Sequence, residues 1–454
     1  MRSNGVVKVG AVFGLFVAAV PPACSIEPEA DVDRGIDVAP DGAVATGATR
    51  YPAGAVRSPV TAAVAARLRA IAAAGPSQRD DVFAKIGDSH TVNGNLLACF
   101  AAGPYQVDFG GRDDLRPTWD HFLRGTIAGD TSFDRHSLAA QVSRTARWAI
   151  TGRPSPLAQE LAAIRPRYGF VAFGTNDMEQ GATHASALPA YVDATGALLD
   201  QLEAAGVVPI VVGLTPRTDY ASAARWVETY DAVTRALAEA RQVPYVSLLR
   251  ATEALPGQGL ASDGVHGDVY TVGGRAQPCL LTAAGLDHTF NQRNLRYLDA
   301  LAAASSALAG DAAAEPEVLP PLAGRGTAAE PFVIDQLPVT HTFVTRRGER
   351  GRATYPGCAA RQNEAGPEVV YRLSLAAPTG VRVIALDRGS VDVDAHILTG
   401  DTCVERADML LDRTLPAGDH TIAVDTFTGG GVERAGAYTL VVVACAPGDP
   451  DCRN

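Results

Sequence analysis

Short, mostly apolar runs alternate with longer segments of helical period from residue 60 to residue 308. The runs at 82–86, 169–173, 207–212 and 244–248 read as strands, and 60–74, 157–164, 187–204, 221–240 and 280–308 as helices. A helix is also expected at 92–101 and a further strand at 105–109. Strands alternating with helices build a parallel sheet covered on both faces, with its functional site beyond the carboxyl ends of the strands. The polar stretch 110–136, with Trp119, His121 and Phe122, breaks this rhythm. It reads equally as a substrate wall beside the site or as a packed surface loop.

Past residue 330 the period changes to two: Tyr371, Leu373, Leu375; Val381, Val383, Ala385; Ile422, Val424; Tyr438, Leu440, Val442. Turns rich in Gly, Asp and Pro separate these runs, which predicts a small all-β sandwich after the α/β domain. An Ala, Pro and Glu linker at 310–330 has no apolar period, so few contacts are expected to cross it. At the other end, Arg2 and Lys8 precede an apolar run over 9–20 and then Pro21-Pro22-Ala23-Cys24. This pattern predicts an export signal, too short to span a membrane. The small residue before Cys24 resembles a bacterial lipoprotein processing site, although Pro21 stands where that pattern takes Leu. The expected organisation is a signal at 1–24, a tether at 25–58, an α/β domain at 59–309, the linker, and a β-sandwich at 331–454.

With 454 residues and 47% apolar side chains, the chain has room for two cores. A net charge of −11 argues against nucleic-acid binding and against attraction to anionic membranes. Setting Cys24 aside leaves six cysteines, an even number that suggests disulfides in an exported chain. Pairing within domains gives Cys99–Cys279, Cys358–Cys403 and Cys445–Cys452. No CxxC pair occurs, so no zinc site is expected. Asp387, Asp392 and Asp394 are weighed as calcium ligands and, more simply, as turn acids.

The chemistry concentrates at three places. Gly87-Asp88-Ser89 lies between the first strand and a helix, where a serine is exposed near partly positive amides. Ser89 there is either a nucleophile or a helix cap. Gly174-Thr175-Asn176-Asp177 follows a second strand, and Asp263-Gly264-Val265-His266 sets a carboxylate three residues before a histidine. At that spacing the carboxylate can hold Nδ1–H while Nε2 faces the serine. Neither G-x-G-x-x-G after a strand, a Walker pattern, nor G-x-S-x-G is present, which removes dinucleotide, nucleotide and α/β-hydrolase readings.

In this order the three blocks resemble the SGNH/GDSL hydrolase superfamily over roughly residues 80–305, with His90 at a position where many members have an apolar residue. The resemblance implies a three-layer, flavodoxin-like fold and a serine esterase in which Ser89 attacks, His266 is the base and Asp263 orients it. It also implies an oxyanion hole from Asn176, the Ser89 amide and a second-block amide, for which Ser143 is preferred to Gly152. No cofactor or metal is implied. Residues 367–443, notably 418–425 and Gly436-Ala437-Tyr438-Thr439-Leu440, resemble the bacterial pre-peptidase C-terminal-type domain, which implies a non-catalytic accessory module. The expectation is therefore an exported monomer that hydrolyses small acyl esters, foremost acetyl esters on carbohydrate, and that carries a candidate lipid anchor at Cys24. An acyltransferase with the same site, and a surface glycan-binding protein with a degenerate site, are the alternatives. His288, with Asn291 and Arg293, reads as a helix-start polar cluster or a cleft lining, and His184 as a surface residue.

Overall fold

β1 (Arg79–Gly87), β2 (Pro166–Ala172), β3 (Val208–Val212) and β4 (Tyr245–Val246) form a parallel sheet in that order. The structure, a computed structural model, describes residues 48–311, 313–358 and 363–452. The signal segment, Cys24 and the first part of the expected tether lie outside the described residues. From Val82 onward β1 is buried on both faces, as are all of β2 and β3, which is why they read as unbroken apolar runs. Helices α1 (Ala62–Ala74), α2 (Ser89–Val92), α3 (Arg116–Arg124), α4 (Ala146–Ala149), α5 (Pro156–Ile164), α6 (His184–Ala204), α7 (Ala221–Arg241), α8 (Leu248–Thr252) and α9 (Thr289–Ala309) complete the α/β part. Among the described residues, no helix is long and apolar enough to cross a membrane.

The rest is a β-sandwich. One sheet takes the order β6-β13-β8-β11, from Val339–Val344, Ala437–Ala444, Thr379–Leu386 and Leu410–Leu415. The other takes the order β10-β9-β12-β7-β5, from Thr402–Ala407, Val393–Thr399, Gly418–Thr426, Val369–Leu375 and Phe332–Ile334. Val383, Ala385, Leu440 and Val442 point between the sheets, as the period of two requires. Disulfides join Cys99 to Cys279, Cys358 to Cys403 and Cys445 to Cys452.

Several local expectations are corrected. Residues 48–58 are not a loose tether: Tyr51 is buried with its hydroxyl on the Val243 carbonyl, and Ser58 N–H donates to the Tyr245 carbonyl along β4. The segment 105–109 makes no sheet strand, only an isolated bridge between Asp108 and Leu280, and the expected helix at 92–101 is interrupted after Val92, with Leu97 left-handed at φ 62°. Within 110–136, α3 buries Trp119 and Phe122, and His121 meets the Asp80 carbonyl at the start of β1. That is the end of the strand remote from Ser89, so this stretch packs the core and does not wall the site.

The expectation of few contacts across the linker also fails. Glu315 holds Arg57 and the Val60 N–H, and the Pro320 carbonyl accepts from Arg50. On the outer face of the β6-β13-β8-β11 sheet, Ile384, Leu386, Val441 and Val443 join the hydrophobic core of the α/β part. α7 presents one stripe to this sheet. Trp226 Nε1–H donates to Asp451 at 2.8 Å, the buried Arg382 guanidinium sits 3.7 Å from the Trp226 ring centroid and donates to Thr229, and Thr340 donates to Glu239 at 2.6 Å. The α/β part and the sandwich belong to one compact unit.

Candidate active site

Ser89 is half-buried at the first position of α2, directly after the carboxyl end of β1. Gly87 makes that turn possible: a Cβ there would overlap Thr91 Oγ1 and the Ala172 carbonyl oxygen. Asp88 caps α2, its Oδ1 accepting from the His90 N–H at 3.0 Å. The cap reading of the Gly-Asp-Ser block therefore falls to Asp88, and the Ser89 hydroxyl faces elsewhere.

It faces His266. Ser89 Oγ lies 2.9 Å from His266 Nε2, and His266 Nδ1 lies 2.7 Å from Asp263 Oδ2. The other Asp263 oxygen accepts the N–H groups of Val265 and His266, at 3.0 and 2.9 Å. The Val265 N–H, then the imidazole and the His266 N–H, hold the Asp263 carboxyl down to about 2. Gly264 allows this tight turn, with φ at 70° and its carbonyl accepting from Thr218 N–H. The orienting carboxylate thus stays ionised at neutral pH, and its acceptor fixes the imidazole proton on Nδ1, leaving Nε2 to take the serine proton.

Asn176 stands at the end of β2 in a loop tied down by its neighbour. The buried Asp177 carboxylate accepts from the Gly174 N–H at 3.0 Å and from the Ala146 N–H at 2.9 Å. The Asn176 amide donates to Asp88 Oδ2 at 3.2 Å and to the Arg144 carbonyl at 3.1 Å. Hence Asn176, Asp88 and the 143–144 segment are neighbours. Ser143 is exposed with φ 61°, the left-handed conformation that turns the chain after residues 139–141 have run alongside Gly87. Gly152 lies beyond α4, with no described contact to Asn176 or Ser89.

A layer of Asp88, His90 and Arg293 lies beneath the nucleophile and lines one pocket. His90 is buried, its ring 4.9 Å from that of His266, and burial with the nearby Arg293 charge holds its imidazole well below the usual range, hence neutral. Burial pushes the Asp88 carboxyl up to about 6, against the pull of the His90 N–H, Arg293 and His266. Arg293 is itself buried in α9. It shares the stripe of Phe290, Tyr297 and Leu301, and of the two readings open to it in sequence, helix-start polar cluster or cleft lining, it takes the second, beside Asp88 and His90. His288 instead binds Asp268 at the start of α9, and Asn291 holds the Gln277 and Leu280 carbonyls.

Residues 85–269, which contain Ser89, Asn176, Asp263 and His266, match the sequence profile of the GDSL-like lipase/acylhydrolase family. Over this stretch the chain is similar to that family. By class it is a carboxylic ester hydrolase. No curated protein gives a significant match. Among solved structures, the chain is similar to a two-domain esterase active on acetylated mannans, at 10% identity over 80% of this chain and 90% of that one, with a TM-score of 0.29. It is also similar to an acetylxylan esterase from Geobacillus stearothermophilus, at 14% identity over 48% of this chain and 93% of that one, with a TM-score of 0.32. The pre-peptidase C-terminal domain of a Bacillus anthracis collagenase matches at 10% identity over 23% of this chain and 89% of that one, with a TM-score of 0.16. At these identities and scores, the chemistry of the site rests on this chain's own residues.

Proposed function

We propose that the protein is an exported serine esterase that removes small acyl groups, foremost acetyl, from carbohydrate by an acyl-enzyme route. The observation that carries this is the continuous hydrogen-bonded chain from Ser89 Oγ through His266 to Asp263 at the carboxyl end of β1. Ser89 Oγ attacks the ester carbonyl while His266 Nε2 takes its proton, and His266 returns that proton to the departing alcohol oxygen. Water then attacks the acyl-enzyme with the same base, releasing the acid and restoring Ser89. Asn176 and the amides of Ser89 and Ser143 are the donors for the oxyanion. Asn176 reaches that oxygen by giving up its long bond to Asp88 or to Arg144.

The His266 and Asp263 side chains are 35% and 51% exposed. A base this open admits water to the acyl-enzyme, which favours hydrolysis over acyl transfer, and it suits an ester borne by a bulky, solvated alcohol. Acetylated mannan and xylan oligosaccharides are the substrates to try first. Release of acetate from them by the purified protein, and its loss in Ser89→Ala, tests the reading. Turnover of long-chain acyl esters alone would reject the acetyl assignment.

Asn176→Ala is expected to lower kcat by about 10²–10³ with a smaller change in KM, the cost of one lost oxyanion donor. Steady-state kinetics and thermal melts on the same preparation check this. An unchanged kcat with a lowered melting temperature would make Asn176 a loop residue that only supports Asp88 and Arg144.

A further inference from the structure

Far from the nucleophile in sequence, the sandwich holds a second cluster of chemistry-bearing groups. Glu364, in the segment leading into β7, His396, in the middle of β9, and Asp425, near the end of β12, each bring one ligand atom within 4.8 Å of the others. All three side chains are fully buried. Strands β9 and β12 are paired neighbours, with Asp394 opposite Asp425 and His396 opposite Ala423.

The hydrogen bonding of this cluster does not close. Among the described residues, neither ring nitrogen of His396 has a partner, and neither does Glu364 Oε2. A buried polar atom left unpaired costs about 1–3 kcal/mol, so Glu364 Oε2 and the one imidazole nitrogen of His396 that can face it call for a common partner. Acceptors already exceed donors here. The Tyr355 ring lies on His396 at 3.7 Å between centroids, and its hydroxyl is within hydrogen-bond distance of both Asp425, at 2.5 Å, and Glu368, at 2.6 Å. A phenol has one proton, so it serves only one of these carboxylates at a time. Arg406 reaches Glu364 Oε1 and Asp394, and Arg352 lies over the Tyr355 ring.

We propose that Glu364, His396 and Asp425 bind one divalent transition-metal ion of zinc type. One imidazole nitrogen with two carboxylate oxygens is a donor set that zinc accepts, and the fourth position of a tetrahedral site is left for water. Calcium and magnesium take oxygen ligands, so an imidazole in the set tells against them. The missing CxxC pairs do not bear on this site, which uses no thiolate. Its role is structural: Cys358–Cys403 fastens the segment before β7 at one point, and the ion fastens it at Glu364 to β9 and β12. The trio weighed for calcium is not assembled, because Asp394 pairs with Arg406, while Asp387 and Asp392 converge with Asp408.

The test uses the full chain, stripped by chelator and then titrated with zinc. One zinc per chain after gel filtration, a rise in melting temperature of several degrees, and an X-ray absorption shell of oxygen with a single histidine are expected. Glu364→Gln and His396→Gln should each lower zinc affinity by at least about 10-fold, with the thermal shift lost. A folded wild-type chain that takes up no zinc overturns the proposal. So does a His396→Gln chain that binds it equally, or a melting shift given by calcium and not by zinc. If the variants do not fold, the wild-type absorption spectrum decides, and a shell without histidine or with two histidines refutes the assignment.

Discussion

Ser89→Ala is expected to lower kcat by about 10⁴-fold or more, and His266→Ala by a similar factor. The two residues act as one unit, since the serine hydroxyl is a weak nucleophile until Nε2, 2.9 Å away, accepts its proton. Removing either partner leaves the oxyanion donors and substrate binding in place, so a residual rate above that of water should remain. KM should change far less than kcat. Neither side chain belongs to the hydrophobic core, so both variants should melt close to the parent. A serine-reactive phosphonate should label Ser89 alone, and mass spectrometry of the labelled peptide identifies the position. Full activity in Ser89→Ala, or labelling elsewhere, would assign the nucleophile to another residue.

A chain ending at Leu308 is expected to be insoluble or to melt far below the full protein. Such a cut uncovers the α7 stripe, including Trp226, which is fully buried. A buried aromatic of this size hides about 150–250 Å², and at about 25 cal/mol per Å² its exposure alone forgoes roughly 4–6 kcal/mol. Whole domains are stable by only about 5–15 kcal/mol. The loss of Glu315, which holds Arg57 and Val60, adds to this. Solubility, circular dichroism and esterase activity of the shortened chain against the full one give the measurement. A soluble, active chain would mean that the sandwich merely rests on α7.

The strands of the parallel sheet were legible because burial on both faces leaves an unbroken apolar run, and the three chemical blocks were legible because each sits in a tight turn that its own glycine permits. The same logic holds for part of the sandwich. Val381, Val383 and Ala385 form one buried face, yet Ile384 between the last two and Leu386 just beyond are apolar too. Likewise Val441 and Val443 interleave with Leu440 and Val442. Runs apolar at every position mark strands covered on both sides. Here the second cover is α7, and that contact is what defeated the expectation of an independent tail. That Asp88, His90 and Arg293 come together was hidden for another reason, although Arg293 by itself stands out in sequence as a candidate cleft lining. The layer joins residues about 200 positions apart through burial and charge, which no local period records. The stretch 110–136 left two readings open because polar ends mask a short helix, and its two buried aromatics facing the core decide for the packed loop.

The bond between Cys99 and Cys279 bears on how long such an enzyme survives among proteases. The hairpin Thr271–Val272 and Arg275–Ala276 is exposed at every position and carries a trypsin site at Arg275. Cleavage there severs the chain carrying Ser89, Asn176, Asp263 and His266 from α9 and the sandwich, but Cys279 keeps the two pieces covalently joined. The nicked protein should run as a single band on a denaturing gel without reductant and as two bands with it, while its esterase rate stays near that of the uncut form. Durability among proteases would then depend on one sulfur–sulfur link more than on an intact backbone.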